Sequence, residues 1–253
     1  MEYRVKSGAR AVQVLEYFHR RGTPARGIEI GRDLELSASS TNDLLKTLVE
    51  VGYLEFDDKA KTYFIGSRAA LFGHWAASVQ PDIGKLRDLA NELRRRAGEC
   101  VVLSAQRGHV VQFLSILHGP EETPPHIAEG LSAPVINTAA GAAMLMNMNG
   151  AEISQIVKRT YHMKKVHRVE EQLSGPLQTF RKRGYACPMR EDYQPDYWVV
   201  AMPLPVKEAS RLALGMGGPK SRIQEREQEL AALGREAFAK FFNSGTRHLQ
   251  PSL

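Results

Sequence analysis

The chain has 253 residues and a mass of 28.2 kDa, enough for one large domain or two moderate ones. It is 43% hydrophobic and 25% charged, which is ordinary for a globular protein, and no apolar run has the length of a membrane span. The N-terminal MEYRVKSGAR lacks the apolar core of a secretory signal, and Cys100 and Cys187 provide neither a disulfide framework nor a metal-ligand spacing. These features argue against secreted and membrane proteins, and we expect a cytoplasmic protein.

The net charge of +6 suggests a polyanionic partner, but the placement of the charges weakens that inference. Over residues 1–66, Lys and Arg are balanced by Asp and Glu, about ten of each. The basic excess falls later in the chain, in the runs Arg94–Arg96, Lys164–Arg168 and Arg181–Arg183. Such runs usually form solvated helix faces. Charge alone therefore does not predict nucleic-acid binding.

The first 66 residues predict three helices followed by two short strands. Apolar residues recur at helical spacing from Ser7 to Arg20, with Ser7 as the predicted cap, and RGTPARG then breaks the helix. A short helix is predicted over 28–34. A third helix is predicted over 38–51, and its buried residues are expected to be Leu44, Leu45 and Leu48, with Val51 as a further candidate. YLEF and KTYFI, separated by a polar turn, predict a hairpin.

This order of elements is that of a winged helix-turn-helix, whose second helix enters the major groove. Small hydroxyl side chains at the start of that helix let the backbone approach DNA and donate to phosphates. The amide of Asn42 suits adenine, and Lys46 reaches a phosphate one turn later. The predicted contacts of this helix are Ser39, Ser40, Thr41, Asn42 and Lys46.

Two observations oppose this interpretation. Asp43 places a carboxylate where phosphate would repel it, although a dimer would offset the repulsion by doubling the other contacts. A helix-turn-helix pattern is also a weak signal on its own. The alternative is a plain three-helix domain in which the hydroxyl groups only cap helices.

The rest of the chain predicts a connecting helix and an α+β domain. The connecting helix covers Ser67–Ser78, and the amphipathic DIGKLRDLANELRRRAG follows it. Strand patterns occur in CVVLSAQRGHVVQFLSIL, WVVAMPLPV and RLALGMG. Helices are predicted near 151–158 and 176–183, and a final one over 221–242. Strands paired by hairpins with helices between them indicate an antiparallel sheet.

Several longer motifs stand in a fixed order along the chain. SGARAVQVLEYF, STNDLLKTLVEVGYLE and TYFIGSRAALFG come first. APVINTAAGAAML, with Pro134, Thr138 and Gly141, is followed by RKRGYA, EDYQPDYWVVAMPLPV and LALGMGGPKSRI. In this order, over nearly the whole chain, the sequence resembles the IclR family of bacterial transcription regulators. Each motif is weak alone, and their order across two domains makes the resemblance specific.

The resemblance implies an α+β protein with an N-terminal winged helix-turn-helix domain over 1–66. A connecting helix or linker over 67–80 and a GAF-like effector-binding domain with an antiparallel sheet over 81–253 would follow. Such a regulator is a homodimer or homotetramer that binds double-stranded operator DNA near catabolic genes. A small metabolite then changes its DNA affinity or its contacts with RNA polymerase. The resemblance implies neither catalysis nor a cofactor, and the connecting helix is expected to couple the two sites.

The DNA-binding residues depart from the family pattern in this sequence. Ala38 stands where many members carry a basic residue, and Asn42 and Asp43 stand where Arg or His is common. Binding is therefore predicted to depend more on an N-terminal arm and on the wing. The residues concerned are Arg4, Lys6, Arg10, Lys59 and Lys61.

The predicted effector site departs further from the family. The family's frequent acid, cysteine and two serines correspond here to Met189, Val199, Gly215 and Gly217. A small 2-oxo acid would leave its oxygens poorly paired there, at about 1–3 kcal/mol per group. The two glycines are expected to leave space, so we predict an aromatic acid or a related aromatic catabolite. The alternative is that the glycines pack against a neighbouring strand and leave no cavity.

Other residues complete this predicted site. Met202, Trp198 or Tyr193 would form a wall, although strand alternation lets only some of them point inward. The helix that begins near Thr138 would offer the N–H groups of two residues to a carboxylate. These two residues are Ala139 and Ala140.

Three other functions are open to this sequence. A regulator that senses a small 2-oxo acid is the alternative within the family. An enzyme would use Cys187 with one of eight histidines, although nothing in the sequence fixes their geometry. A zinc site is weakly supported, because His162 and His167 are five residues apart and do not share a helix face. The other histidines considered for zinc are His118 and His126.

Overall fold

The structure is a computed structural model, and it describes residues 5–79, 81–120, 127–161, 166–189, 196–205 and 211–243. The chain divides into two compact units, an N-terminal unit, Met1–Gly84, and a C-terminal unit, Lys85–Leu253. Across the described residues, no helix combines the length and the apolar character that crossing a membrane requires.

The N-terminal unit is a winged helix-turn-helix, as predicted. Its elements are α1 (Lys6–Arg21), α2 (Gly27–Asp33), α3 (Ala38–Glu50), β1 (Leu54–Asp57), β2 (Thr62–Ile65) and α4 (Ser67–Val79). The strands β1 and β2 pair antiparallel as the wing. The prediction that Ser7 caps α1 is wrong, because the helix begins one residue earlier and Val5 occupies the cap position without a side-chain bond.

The core of the N-terminal unit joins the three helices to the wing. It is built from buried Val14, Phe18, Ile30, Leu45, Leu48 and Leu54. Leu44, predicted to be buried, is half-buried against this core, and Val51, the further candidate, is exposed. Backbone bonds between Ala25 and Tyr63 tie the α1–α2 loop to the wing. The orientation of α3 is therefore set by packing on three sides.

The C-terminal unit is α+β. Helix α5 (Pro81–Ala97) begins within the last residues of the N-terminal unit and continues into this one. The other helices are α6 (Ala139–Leu145), α7 (Gly150–Thr160), α8 (Val166–Arg183), α9 (Lys220–Glu225) and α10 (Glu227–Asn243). Its strands are β3 (Cys100–Arg107), β4 (Val110–Leu117), β5 (Ser132–Pro134), β6 (Tyr197–Pro203) and β7 (Leu212–Pro219), and a 3-10 turn covers Val135–Asn137. All pairings in the sheet are antiparallel, in the order β5-β4-β3-β7-β6.

Two faces of this sheet carry different helices, and alternation along β6 distributes its residues between them. Trp198 and Met202 face α10: the indole Nε1 donates to Glu227 Oε1 at 2.7 Å, and the sulfur of Met202 covers Gly234. Val199 faces the side where α6 begins. The side chains of β6 that can reach a ligand beside α6 are thereby separated from those that hold α10.

Two predicted helices differ from the observed ones. The helix predicted over 176–183 begins ten residues earlier, at Val166, and contains Pro176. The final helix is divided at Arg226 into α9 and α10. Arg226 donates to the carboxylate of Glu99 at 2.7 Å and to the carbonyl of Ala97 at 3.1 Å, so the residue at the break is attached to the end of α5.

Candidate DNA-binding surface and effector pocket

The start of α3 is stabilised by its own serines. The hydroxyl oxygen of Ser37 accepts from the backbone N–H of Ser40 at 3.3 Å, and its O–H donates to Ser40 Oγ at 2.9 Å. This is an N-cap, which satisfies one of the free N–H groups of the first turn. Ser40 is half-buried and shares its hydroxyl with the cap, whereas Ser39 is exposed. Of the two predicted contacts, Ser39 is the more accessible.

The prediction that Thr41 contacts DNA is wrong. Its side chain is 4% exposed, and its hydroxyl donates to the carbonyl of Ser37 at 2.9 Å. A β-carbon added at Gly31 of α2 would lie 2.9 Å from Thr41 Oγ1, so the two helices meet here. Thr41 shares its side of α3 with Leu45 and Leu48, a spacing of four and three residues that is readable in the sequence.

Opposite that buried side, α3 presents a face of mixed charge. At 100° per residue, Ser39, Asp43, Lys46 and Glu50 point away from the core, and all four are exposed. Asn42 is also exposed, at the flank that borders a surface groove along α2. The face therefore offers hydroxyl, amide and lysine donors together with two carboxylates.

The wing brings the two predicted lysines to one turn. Asp57 Oδ1 accepts from the backbone N–H groups of Lys59, at 2.8 Å, and Ala60, at 3.1 Å, and these bonds lower the pKa of the carboxyl. Lys61 adopts a left-handed φ of 55°. Its ammonium lies 3.5 Å from Asp58 Oδ1 and 5.9 Å from the Phe56 ring centroid. Part of the Lys61 charge is therefore balanced within the turn.

The N-terminal arm is described only in part. Arg4 lies outside the described residues. Lys6 and Arg10 belong to the first turns of α1, where Lys6 is exposed and Arg10 half-buried. They therefore stand on a helix and not on an extended arm.

A cavity in the C-terminal unit lies between the sheet and the start of α6. The volume of this cavity that is accessible to water is about 50 Å³, several times the roughly 10–15 Å³ that one water needs. Five predicted effector residues line it: Thr138, Ala139, Ala140, Val199 and Gly215. Six lining residues were not predicted: Val102, Ser104, Phe113, Ile127, Asn137 and Pro188.

Three other predicted effector residues do not line this cavity. Met202 faces α10 on the opposite side of the sheet, where its sulfur lies 2.5 Å from the position of a β-carbon added at Gly234. Gly217 is covered by Tyr197 and Val199. Met189 is half-buried against the core without lining the cavity. Trp198 shares the face of Met202, and Tyr193 lies outside the described residues.

The glycines of β7 do not create the space, contrary to expectation. A β-carbon at Gly215 would lie 3.0 Å from Val199 Cγ1, and one at Gly217 would lie 2.9 Å from Val199 Cγ2. Val199 therefore fills the room that both glycines leave. The glycines pack against the neighbouring strand, as the alternative expected, but a cavity is present and Gly215 lines it, contrary to the other half of that alternative.

The start of α6 closes one end of the cavity. Thr138 Oγ1 accepts from the N–H of Gly141 at 2.9 Å, which caps the helix. A β-carbon at Gly141 would collide with the carbonyl of Val135, so only glycine permits this close approach. The N–H groups of Ala139 and Ala140 belong to the same first turn, where a helix has no internal acceptors.

Burial makes the thiol of Cys187 a poor nucleophile. The side chain is 3% exposed, and burial raises its pKa to about 12. Because the thiolate is the reactive form, the enzyme alternative loses its nucleophile. In the described part of the chain, no group of three His, Cys, Asp or Glu could hold a metal ion. His126 and His162 lie outside that part, and His167 pairs with Glu171 at 3.2 Å.

Several cations of the basic runs serve the fold of the C-terminal unit. Arg181 donates to the carbonyls of Met146 and Met148, just beyond the end of α6. Arg183 pairs with Glu227 at 3.2 Å, and Arg96 pairs with Glu236 at 2.6 Å. These contacts bear out the caution that charge alone does not indicate nucleic acid.

Comparison with known proteins identifies both units. The family models described as IclR helix-turn-helix domain and as bacterial transcriptional regulator IclR C-terminal match residues 7–58 and 82–240. The HTH-type transcriptional regulator XynR of Escherichia coli is 26% identical over 228 residues, covering 88% of this chain and 90% of its own. The glycerol operon regulatory protein of Streptomyces coelicolor is 22% identical over 210 residues, 80% of each chain.

Solved structures share the fold. An IclR homologue from Microbacterium hydrocarbonoxydans, complexed with 4-hydroxybenzoate, superposes with a TM-score of 0.66 at 18% identity, covering 94% of this chain and 100% of that one. The Thermotoga maritima IclR gives 0.63 at 18% identity, covering 93% and 97%. With both family models matched in order over most of its length, the chain belongs to the IclR family of DNA-binding transcriptional regulators and is not an enzyme.

Proposed function

We propose that this regulator responds to an aromatic acid or a related aromatic catabolite and controls a catabolic operon. The observation that carries the proposal is the composition of the cavity beside α6. Phe113, Val102, Ile127 and Val199 give it apolar walls, and none of the described residues that line it is ionisable. Apolar walls with a few polar groups are typical of ligand sites.

The size of the cavity agrees with a small ligand, and one end of it suits a carboxylate. Its volume exceeds that of one water several times over, which suits a small ligand. The N–H groups of Ala139 and Ala140 would donate hydrogen bonds to a carboxylate. The Microbacterium protein, which has this fold, is complexed with 4-hydroxybenzoate, and this likeness supports the proposal.

Calorimetry of the full chain tests the effector class. We expect benzoate and 4-hydroxybenzoate to bind at least about tenfold more tightly than pyruvate and glyoxylate, because the apolar walls leave the short acids unpaired. Val199→Phe should abolish aromatic binding by filling the cavity, whereas Val110→Phe, half-buried on β4 away from the cavity, should not. Tight binding of the short acids alone would replace the proposal by the 2-oxo acid alternative.

On the DNA side, we propose that the protein binds a pseudo-palindromic operator as a homodimer or a dimer of dimers. Exposed apolar side chains follow one side of α4 at a spacing of four residues: Leu71, Trp75 and Val79. Such a stripe on a helix surface favours association with a second copy. Effector binding would act through α4, by changing DNA affinity or contacts with RNA polymerase.

Two substitutions distinguish contacts to bases from contacts to phosphates. Each variant would be tested for binding to DNA from upstream of the protein's own gene and to scrambled DNA. Asn42→Ala should lose about 1–3 kcal/mol of discrimination at one position per half-site. Lys46→Gln should weaken operator and scrambled DNA alike and lower the salt slope by about one. Fluorescence anisotropy over a salt series measures both.

Asp43→Asn is the matched control on the same face of α3. Removing this carboxylate should raise the affinity for both DNAs, because its repulsion of phosphate disappears. A loss of affinity for operator alone would instead show that Asp43 accepts from a base. Equal binding of operator and scrambled DNA by the parent protein at moderate salt would contradict sequence-specific binding.

A further inference from the structure

We infer that Ser104 and Asn137 form a polar subsite that recognises a neutral hydroxyl group on the effector, so that the preferred ligand class is a hydroxylated aromatic acid. This inference rests on the proposed function and narrows it. It concerns the two polar atoms of the cavity lining that have no hydrogen-bond partner among the described residues. The two side chains come from β3 and from the 3-10 turn before α6.

Ser104 is a hydroxyl enclosed by apolar neighbours. It is 1% exposed, it lines the cavity, and its Oγ makes no hydrogen bond to any described group. The residues opposite it on the adjacent strands are Phe113 and Ala213, which have no polar side-chain atoms. A buried hydroxyl without a partner is uncommon in folded proteins. A ligand in the cavity can supply that partner by taking the place of water there.

Asn137 supplies the second unpaired atom. Its Oδ1 is buried and makes no hydrogen bond to the described residues, and the side chain lines the same cavity. The oxygen is an acceptor, so it requires a donor from the ligand. Ser104 can both donate and accept. Together they present a donor and an acceptor to one ligand group.

The pairing rules select among the possible groups. A carboxylate can accept from Ser104, but it cannot donate to Asn137 Oδ1. An ammonium can donate, but the described lining offers no carboxylate to balance its charge. A hydroxyl accepts from Ser104 and donates to Asn137, and it remains neutral. A methyl group of similar size does neither.

Matched ligands test the inference with the full-length protein. Calorimetry would compare benzoate, the three hydroxybenzoates and the three methylbenzoates, which add similar volume with and without a hydrogen-bonding group. We expect one hydroxybenzoate to bind at least about tenfold more tightly than the methylbenzoate that carries its methyl group at the same ring position. Ser104→Ala and Asn137→Leu should each reduce that ratio toward one, because each removes one of the two groups that pair with the hydroxyl.

Stability supplies a second readout that a purely structural role would not produce. Ser104→Ala should melt at the parent temperature or above it, because it replaces an unpaired buried hydroxyl with an apolar group. Ser115→Ala is the matched control, a half-buried serine on β4 that lies outside the cavity, and it should not change the hydroxyl preference. Reduced selectivity without reduced stability would support a ligand-recognition role.

The contrary outcomes are distinct. If benzoate and the methylbenzoates bind as tightly as every hydroxybenzoate, the inference is overturned and the aromatic class stands. A hydroxyl preference that survives both substitutions would overturn the assignment to Ser104 and Asn137. If only pyruvate or glyoxylate binds, the aromatic proposal fails and this inference fails with it.

Discussion

Glu99→Ala should lower the melting temperature of the C-terminal unit by about 6–12 °C, corresponding to a loss of about 3 kcal/mol. Glu99 is 2% exposed, and its carboxylate accepts two bonds from Arg222, at 2.8 and 2.9 Å, and one from Arg226 at 2.7 Å. These bonds join the residue that leads into β3 to α9 and the start of α10. Differential scanning calorimetry measures the effect.

The partial exposure of the arginines sets this magnitude. The side chains of Arg222 and Arg226 are 35% and 27% exposed, so water will partly solvate them after Glu99 is removed. The loss should therefore fall at the lower end of the range for breaking a buried ion pair. Glu99→Gln should lose less, because it retains the shape and can still accept from one arginine.

Glu229→Gln is the control for a surface ion pair in the same network. It pairs with Arg226 at 2.7 Å but is 54% exposed, so solvent screening should leave the melting temperature nearly unchanged. Parental stability of Glu99→Ala would show that desolvation of the carboxylate offsets its three charged hydrogen bonds, contrary to our expectation.

The double substitution Leu71→Glu and Trp75→Glu should make the isolated N-terminal unit monomeric. In the full chain it should reduce operator affinity more than about 100-fold. Leu71 is 70% exposed and Trp75 is 56% exposed, and together with Val79 they form an apolar patch on α4 of the kind that marks interaction surfaces. Introducing charge would oppose their burial against a second copy. Because operator affinity depends on two half-sites, a single unit would fall toward non-specific binding.

Sedimentation of the isolated N-terminal unit, residues 1–84, and anisotropy of the full chain would check the two parts of this prediction. Ala70→Glu is the control, because it adds the same charge to an exposed position about 100° around α4 from Leu71. If the double variant keeps the parental association state and operator affinity, the apolar stripe of α4 is not a dimer contact.

The order of elements in both units follows from local signals in the sequence. Apolar periodicity, a serine cap before α3 and polar turns between strands place most helices and strands within a few residues of their observed bounds. The exceptions depend on contacts distant in the chain. The division of the last helix at Arg226 coincides with its bonds to Glu99 and Ala97, and no local pattern near Arg226 indicates those partners.

The exposed face of α3 could be read from the sequence except at one residue. Asn42 and Lys46 are exposed as expected. Thr41 was misassigned because a threonine near a helix start suits either a cap or a DNA contact. The spacing of Thr41 to Leu45 and Leu48 is the signal in the sequence that indicates its burial in the core.

By itself, the sequence determined the family, the element order and the alternation that divides β6 into two sets of side chains. Only the tertiary structure decided which set meets the cavity. Packing of Trp198 and Met202 against α10 sends Val199 to the other face, where it covers Gly215 and Gly217. Alternation is a local property of a strand, whereas the identity of the covering element depends on distant residues. The presence of Ser104 and Asn137 in the lining of one cavity likewise depends on the tertiary structure. They belong to β3 and to the turn before α6, which are distant in the sequence and lie close together only in the folded chain.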